Sequence, residues 1–350
     1  MTRDKHKIKF ALGTAGWLQW KGAYVLVDGQ YGSTGKGLAS SLMAELFHDR
    51  VELVTTNAGP NSGHTSYANG EKIVLKQLPT FSVVCRKLGY IEPRTLVNAG
   101  AVIVPDILLR EIAEHHMTLV SIHRNAAVVS EEAKKTDELQ SLRIGSTGQG
   151  TGQAIIDKVA RKTNAIAGNC DRLSNFYRRD SARFGATFVE VSQGFSLGIN
   201  QQFYPYCTSR ECTVAQAISD AGLHPNDYRQ CMMVVRTYPI RVAGNSGDCY
   251  PDQEETSWEE LGFEPELTTV TKKTRRVFTW SRIQFMDAVR FNKPDYIFLN
   301  FCNYLEKQGK DVKKFVETQV MRSYKEVMGH EPKAVLLGYG PRNEDVRLYE

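Results

Sequence analysis

The feature that most constrains this chain is an apolar segment that runs directly into a glycine-rich loop and then into an apolar helical stripe. Residues 23–28 (Ala-Tyr-Val-Leu-Val-Asp) are typical of a short buried strand, residues 29–37 form the loop, and residues 38–47 carry the stripe. This order of strand, loop and helix aims backbone N–H groups and a helix N-terminus at a bound phosphate. The sequence therefore predicts an α/β fold with a phosphate-binding loop near its start.

The loop itself combines small residues with one cation. Gly32, Gly35 and Gly37 allow the close backbone approach that a polyphosphate needs, and Lys36 adds a point charge. The loop is not a Walker A motif, because Gln30 stands where that motif has its first glycine and Gly37 stands where it has Ser or Thr. The alternative interpretation is a glycine-rich turn with a surface lysine, so the loop alone predicts only a phosphate ligand.

Strand-like and helix-like patterns alternate along the rest of the chain. The further predicted strands are 51–55, 95–98, 118–122, 187–191, 232–237, 296–301 and 334–337. The further predicted helices are 105–116, 152–164, 213–221, 284–292 and 312–328. This alternation favours a mainly parallel central sheet flanked by helices. Residues 1–350 are predicted to form one domain with helical excursions, in which residues 1–22 are an N-terminal extension.

Composition and charge exclude several classes of protein. The 350 residues are 41% hydrophobic, enough for a large core, and the net charge of +5 comes from dispersed basic residues. A nucleic-acid partner is therefore not expected. The charged N-terminus does not have the pattern of a signal peptide, and no apolar run approaches the ~18 residues of a membrane span. Seven cysteines without a Cys-x-x-Cys pair favour reduced thiols in a cytoplasmic protein.

Four further polar loops carry candidate binding groups. Residues 57–65 hold His64 among small residues, and residues 145–152 hold four glycines before a predicted helix. Residues 204–210 are Tyr-Pro-Tyr-Cys-Thr-Ser-Arg, and residues 268–276 place four cations among threonines. Taken one at a time, each has a plainer interpretation. A lone loop histidine is more often a solvated or core residue than a catalyst, 145–152 could be a flexible linker, and 268–276 could be a solvated basic loop.

The order and spacing of these loops resemble the adenylosuccinate synthetase family from about residue 23 to residue 342. The matches, in chain order, are residues 29–37 to Gly-x-Gln-Trp-Gly-Asp-Glu-Gly-Lys-Gly, 61–65 to Asn-Ala-Gly-His-Thr, 145–152 to Gly-Thr-Thr-Gly-x-Gly-x-Gly, 157–161 to Asp-Lys-x-Ala-Arg, 190–194 to Glu-Gly-Ala-Gln-Gly, 204–209 to Tyr-Pro-Tyr-Val-Thr-Ser, and 338–341 to Ser-Thr-Gly-Pro. Each motif is degenerate, whereas seven matches in order are specific. The resemblance implies a P-loop-NTPase-like α/β fold.

The resemblance also implies a ligase with a two-step reaction. A nucleoside triphosphate phosphorylates the purine O6, and the amino group of L-aspartate then displaces phosphate from C6. Magnesium is expected on the backbone carbonyl of Gly63, and the catalytic group would comprise Ser33, Lys36, His64 and Gln193. The residues implied at the donor nucleotide are Gly32, Thr34, Gly35, Lys36, Gly37, His64, Asn303, Gly338 and Gly340.

The other two substrates are assigned by the same resemblance. The purine monophosphate would contact Ser33, Asn61, Thr147, Arg161, Gln193 and Thr208, with Arg161 supplied by the neighbouring subunit of a homodimer. The segment 268–275 would close on the carboxylates of aspartate through Thr269, Thr271, Lys273 and Arg275. Lys273 replaces an arginine of the family, so the forked geometry of a guanidinium is lost at that point.

Ser33 stands where the family has an aspartate that binds magnesium and takes the N1 proton of inosine monophosphate (IMP). A hydroxyl is a far weaker base than a carboxylate. The smaller Ser33 leaves room for the 2-amino group of a guanine and can accept its hydrogen bond. The sequence therefore predicts dGMP as acceptor and N6-succino-2-amino-2′-deoxyadenylate as product, as in the branch of the family from bacterial viruses that replace adenine by 2,6-diaminopurine.

Asn303 is the second departure from the family, which has an aspartate there that reads the guanine of GTP. An amide both donates and accepts, which suits the edge of adenine, and Phe301 offers an aromatic surface for a base. ATP or dATP is therefore the predicted donor. Two alternatives stay open: an ordinary adenylosuccinate synthetase that uses IMP and GTP, and a catalytically silent nucleotide-binding protein.

Overall fold

The computed structural model describes residues 2–144, 148–177, 185–268 and 272–350. Its strands are β1 (Gly22–Asp28), β2 (Val51–Thr56), β3 (His64–Ala68), β4 (Glu71–Leu75), β5 (Arg94–Val97), β6 (Val102–Ile103), β7 (Val120–Ile122), β8 (Ala127–Val128), β9 (Ala186–Glu190), β10 (Tyr228–Arg236), β11 (Ile240–Arg241), β12 (Glu255–Thr256), β13 (Arg276–Phe278), β14 (Tyr296–Asn300), β15 (Ala334–Gly338) and β16 (Val346–Leu348).

Its α-helices are α1 (Arg3–Thr14), α2 (Lys36–Phe47), α3 (Thr80–Lys87), α4 (Pro105–Glu114), α5 (Glu131–Ile144), α6 (Thr151–Val159), α7 (Val214–Asp220), α8 (Trp258–Leu261), α9 (Arg282–Asn292), α10 (Cys302–Lys307), α11 (Val312–Phe315) and α12 (Arg322–Met328). A π-helical stretch, Val316–Met321, joins α11 to α12. Within the described ranges, no helix is both long and apolar enough to cross a lipid bilayer.

One nine-stranded sheet contains all eight strands that the sequence predicts. Its order is β16-β15-β14-β10-β1-β9-β2-β5-β7. Every neighbouring pair is parallel except β15 with β16, which is antiparallel. The predicted fold class, a mainly parallel sheet flanked by helices, is confirmed. Strand β16 was missed because its three residues carry too short a pattern to separate from a turn.

Strand β1 lies in the middle of the sheet between β9 and β10. Tyr24 and Leu26 pack on one face, whereas Ala23, Val25 and Val27 pack on the other, and all five are fully buried. A strand that is covered on both faces has to be apolar throughout, which explains the continuous run in the sequence. The strand therefore ends deep in the protein, and the glycine-rich loop starts from a fixed point.

The helices differ from the predictions in the end of one predicted helix and in several helices that were not predicted, namely α1, α3, α5, α8 and α10. The predicted helix 152–164 ends at Val159, and Arg161 just beyond it has a positive φ of 59° that stops the helix. Helix α1 was treated only as an extension, because its many charges hide a buried stripe that includes Ile8 and Leu12. Among its charges, Lys5 is itself buried and pairs with Glu45 at 2.6 Å.

Helix α1 connects the two ends of the chain. It packs against β16, and the second ion pair of Lys5 is with Glu344 at 2.7 Å. Trp17, which follows the helix, is fully buried, and its ring meets those of Tyr24 and Tyr296 edge-on at 5.5 and 5.1 Å. The first residues of the chain are thus part of the core that also contains β1.

Trp17→Ala is expected to lower the free energy of unfolding by about 3–5 kcal/mol, because it leaves a large cavity among rings that cannot collapse onto it. Equilibrium denaturation followed by circular dichroism measures this loss. Trp20→Ala is the matched control, since the Trp20 side chain is 66% exposed and its loss is expected to cost less than about 0.5 kcal/mol. Similar losses for the two variants would contradict the assignment of Trp17 to the core.

Candidate active site

The glycine-rich loop is folded around the carboxylate of Asp28, the last residue of β1. Oδ1 accepts hydrogen bonds from the backbone N–H groups of Gln30 (2.9 Å) and Gly32 (3.2 Å). Oδ2 accepts from the Thr34 hydroxyl at 2.5 Å and from Lys36 Nζ at 3.0 Å. Asp28 is 1% exposed, so these donors replace the water that its charge has lost. The loop is therefore held in one shape by a buried anion.

Positive φ angles let the loop turn back over the start of α2. Gly32 and Gly35 have φ values of 86° and 99°, and Ser33 between them has a φ of 53°, which is uncommon for a residue with a side chain. A Cβ on Gly194 would lie 2.1 Å from the Gly32 nitrogen, so the loop after β9 can approach only because that residue is a glycine. The result is a row of backbone N–H groups in front of a twelve-residue helix.

Lys36 begins α2 and is 4% exposed. Its Nζ donates to the carbonyl oxygen of Gln193 at 2.8 Å in addition to its pair with Asp28. Gln193, with a φ of 69°, follows β9 and therefore lies beside the loop because β9 and β1 are neighbours. Two loops that the sequence predicted as parts of one site are thus brought into direct contact.

A cavity of about 580 Å³ opens above this loop, at the carboxyl ends of the parallel strands. It is lined by the loops after β1, β2, β9, β14 and β15, by Val242 after β11, and by the segment around residue 266. The predicted site residues that line it are Gly32, Ser33, Thr34, Gly35, Lys36, Gly37, Asn61, Gly63, His64, Gln193, Arg275, Asn303 and Gly340. Most of the predicted donor site and part of the acceptor site therefore share one cavity.

The remaining predicted residues lie elsewhere. Thr147, Thr269 and Thr271 fall outside the described residues. Thr208 is half-buried, and its N–H donates to the carbonyl of the cavity residue Leu197 at 2.7 Å. Lys273 and Arg161 are exposed and do not line the cavity, and Gly338 lies behind it at the end of β15. The roles assigned to these residues stay predictions.

His64 begins β3 and faces a buried carboxylate that the sequence analysis gave no role. Its Nδ1 lies 3.3 Å from Oε1 of Glu190, the last residue of β9. Glu190 is fully buried and also accepts from the Ser40 hydroxyl at 2.5 Å and from the N–H of Thr80 at 2.9 Å. Burial acts to raise the pKa of Glu190, but the contact with His64 and the hydrogen bonds from Ser40 and Thr80 outweigh it and leave the pKa below its usual value.

A second buried ion pair lies on the other side of the loop. The guanidinium of Arg236, the last residue of β10, contacts Glu266 at 2.5 Å and donates to the carbonyl of Ser33 at 3.1 Å. Burial acts to raise the pKa of Glu266, but the charge of Arg236 outweighs it and keeps the pKa low. Burial lowers the pKa of Arg275, which lines the cavity and forms no side-chain hydrogen bond to any residue that the structure describes.

Aromatic rings form the far wall of the cavity. Phe263 and Tyr304 stack with ring centroids 3.9 Å apart, and Phe301 packs edge-on against Tyr304. The Arg236 guanidinium lies 3.8 Å from the centroid of the Phe301 ring. Asn303 lies beside these rings, half-buried and within the cavity wall. Aromatic faces next to an amide suit a stacked purine base whose edge the amide reads.

Comparison with known proteins agrees with this arrangement. A sequence model of the family described as adenylosuccinate synthetase matches residues 25–179 and 172–331. The chain is 39% identical to the N6-succino-2-amino-2′-deoxyadenylate synthase of Vibrio phage phiVC8, over 94% of the chain and 99% of that relative. It is 37% identical to the enzyme of the same name from Salmonella phage PMBT28, over 94% and 98%.

A solved structure is similar over almost the whole length. It is the succinoaminodeoxyadenylate synthetase of cyanophage S-2L, bound to dGMP and to dATP as an energy donor. The TM-score is 0.80 at 33% identity, covering 94% of this chain and 95% of that one. The family match, the two phage relatives and the shared fold lead to one conclusion: this chain belongs to the adenylosuccinate synthetase family.

Proposed function

We propose that this protein joins L-aspartate to C6 of dGMP, with ATP or dATP as phosphoryl donor, to give N6-succino-2-amino-2′-deoxyadenylate. Relatives of that name are 37–39% identical over 94% of the chain, and the cyanophage structure contains dGMP and dATP. The product would serve diaminopurine DNA synthesis by a bacteriophage, in the host cytoplasm. The observation that carries the substrate assignment is Ser33, which is exposed in the cavity where the family has an aspartate.

The surroundings of Ser33 support a guanine as the acceptor. Glu266 is the one carboxylate among the described residues that line the cavity, and it is already paired with Arg236. Asp28 is buried beneath the loop, where four donors bond to its two oxygens, and it does not line the cavity. A guanine at Ser33 thus meets a small hydroxyl that can accept from its 2-amino group. The N1 proton would pass to water or to the phosphate oxygens.

Phosphoryl transfer to O6 would use the loop as an electrostatic cradle. The N–H groups of residues 33–35, the N-terminus of α2 and Lys36 would together supply positive charge to the developing phosphoryl group. His64 would contact the donor phosphates from the opposite wall, and Gln193 would contact the purine. Contacts within the protein hold Lys36 and the loop, which limits the reorganisation that accompanies the reaction.

The metal would arrive with the nucleotide. Within the described ranges, no cluster of three or more His, Cys, Asp or Glu side chains could hold a metal ion. Mg²⁺ bound to a triphosphate takes most of its ligands from phosphate oxygens and water, so a backbone carbonyl such as that of Gly63 suffices as a protein contact. Mg²⁺ supplies charge neutralisation to the transferred phosphoryl group.

The aspartate and the 5′-phosphate would bind at the two ends of the cavity. Arg275 is a cavity cation whose guanidinium forms no hydrogen bond within the described part of the chain, which suits a carboxylate ligand. Lys273, Thr269 and Thr271 would complete that site. Asn61, Thr147 and Thr208 would hold the 5′-phosphate. The exposed position of Arg161 after α6 supports its donation to the neighbouring subunit of a homodimer.

Turnover measurements test the proposal directly. With Mg²⁺, aspartate and ATP, the protein is expected to release phosphate and form product with dGMP, and to use IMP at least about 10-fold less efficiently, as kcat/KM. Omission of aspartate should abolish the formation of product. Efficient use of IMP with none of dGMP would instead establish the ordinary synthetase, and no turnover with either would favour a silent binding protein.

Ser33→Asp is expected to lower kcat/KM for dGMP by about 10- to 100-fold, because the longer carboxylate fills the space of the 2-amino group. Asp tolerates the φ of 53° at this position, so the backbone is not strained further. Steady-state kinetics with dGMP and IMP measure the change. Ser33→Ala is the control. It should change the ratio of kcat/KM for dGMP to that for IMP far less than Ser33→Asp does. If Ser33→Asp keeps the wild-type preference for dGMP over IMP, Ser33 does not determine which purine is accepted.

Asn303→Asp is expected to shift donor preference toward GTP. A carboxylate accepts from both the N1–H and the 2-amino group of guanine but loses the amide donor that adenine needs. The ratio of kcat/KM for GTP to that for ATP should rise at least about 10-fold. Asn303→Ala is the control, since it removes the adenine contact without creating one to guanine. The donor assignment fails if both variants keep the wild-type ratio.

A further inference from the structure

Asn300, the last residue of β14, uses both ends of its amide to join two parts of the cavity wall. Its Nδ2 donates to the carbonyl of Thr34 at 3.2 Å, and its Oδ1 accepts from the N–H of Phe301 at 2.9 Å. Thr34 belongs to the glycine-rich loop, and Phe301 begins the turn that carries Asn303. Asn300 is 5% exposed, so neither hydrogen bond is readily exchanged for one to water.

The space for this amide is created by two glycines. A Cβ on Gly35 would lie 2.0 Å from Asn300 Nδ2, and a Cβ on Gly338 would lie 2.2 Å from Asn300 Oδ1. Both distances are far inside van der Waals contact, so neither glycine can be replaced while Asn300 keeps its position. The phosphate loop, β14 and β15 therefore meet at this one side chain.

Phe301 is held in a conformation that its side chain disfavours. Its φ is 61°, in the left-handed region that a bulky residue rarely adopts. Three contacts maintain it: the Asn300 amide on its N–H, the Thr237 hydroxyl on its carbonyl at 2.7 Å, and the Arg236 guanidinium against its ring. A strained backbone conformation persists only where the surrounding contacts maintain it, and such positions are common at ligand sites. The strain at Phe301, in the cavity wall, therefore indicates that the position of this residue matters for a ligand.

We propose that Asn300 is a positioning residue of the donor site, which fixes the aromatic turn of Phe301 and Asn303 relative to the N–H groups of the phosphate loop. This inference rests on the proposed function, in which the base stacks at the turn and the triphosphate lies on the loop. A rigid connection between the two means that a correctly seated base places the γ-phosphate in line for transfer. Without the connection, the base and the phosphates would bind with independent geometry.

Asn300→Asp tests this role with a minimal change of shape. The variant keeps an acceptor for the Phe301 N–H but turns a carboxylate oxygen toward the carbonyl of Thr34, which repels it. We expect kcat/KM for ATP to fall about 10- to 100-fold, mainly through kcat. The KM values for dGMP and aspartate should stay within about twofold of wild type.

Asn292 provides a matched control. It is also buried, and its Oδ1 accepts from the N–H of Val214 at 2.9 Å while its Nδ2 donates to the carbonyl of Ala288 at 3.0 Å. Asn292→Asp therefore makes the same chemical change in the same pattern of bonds, away from the cavity. It should lower thermal stability without a selective effect on ATP. An equal effect of both variants on ATP kinetics would overturn the proposal.

A double-mutant cycle with Asn303→Ala separates coupling from general damage. If Asn300 couples the position of the base to that of the phosphates, Asn300→Asp should lower kcat/KM for ATP less in the Asn303→Ala background than in wild type. The difference in the fold loss should be several-fold, because the base contact of Asn303 is already gone. Strictly additive losses would overturn the proposal. Asn300→Ser, which removes the contact to Thr34 without adding charge, carries the same test if Asn300→Asp does not fold. Wild-type inactivity with dGMP would count against the proposed function, whereas active wild type with unaffected Asn300 variants counts only against this inference.

Discussion

The site depends on one buried anion, the carboxylate of Asp28. A charge that is withdrawn from water is costly unless hydrogen bonds and an opposite charge replace the lost solvation. Here two backbone N–H groups, a hydroxyl and the ammonium of Lys36 do so, and all four belong to the loop that follows. The requirement to satisfy this carboxylate therefore selects the loop conformation. Its shape and the position of its cation are thus set by contacts within the protein, and fixed donors of this kind favour phosphoryl transfer.

The same logic is repeated at the neighbouring strands of the sheet. Strands β9, β10 and β14 end in Glu190, Arg236 and Asn300, and all three side chains are buried. Arg236 and Asn300 bond to the glycine-rich loop, and Glu190 bonds to Thr80 at the start of α3. Because parallel strands bring their carboxyl ends to one edge, these polar residues form a layer between the apolar sheet and the cavity. Hydrogen bonds to this layer restrict the conformations of the loops above it. These loops carry most of the residues that line the cavity.

Patterns that are local in the sequence predicted most of the fold. Eight strands of the large sheet were found because buried parallel strands are continuous apolar runs, and the loop at 29–37 was found because glycines and a lysine stand together. The partners in the layer could not be found in this way. Glu190 and Asn300 lie 150 and 266 residues from the side chain or carbonyl that they bind, Ser40 and Thr34. The order of the strands in the sheet brings these partners together, and a short stretch of sequence does not reveal that order. The end of α6 was also missed, since the residues after Val159 remain compatible with a helix until packing decides otherwise.

The contact between helix α1 and strand β16 has a consequence for how the molecule is made. Lys5 finds Glu344 only after nearly the entire chain has left the ribosome. The central strand β1 likewise waits for β9 and β10, which lie more than 150 residues further on. Contacts of such long range form slowly, because the entropy of closing a large loop is lost before they stabilise anything. Helix α1 and strand β1 therefore reach their final environment only after partners far along the chain have been made, and until then their apolar residues stay exposed.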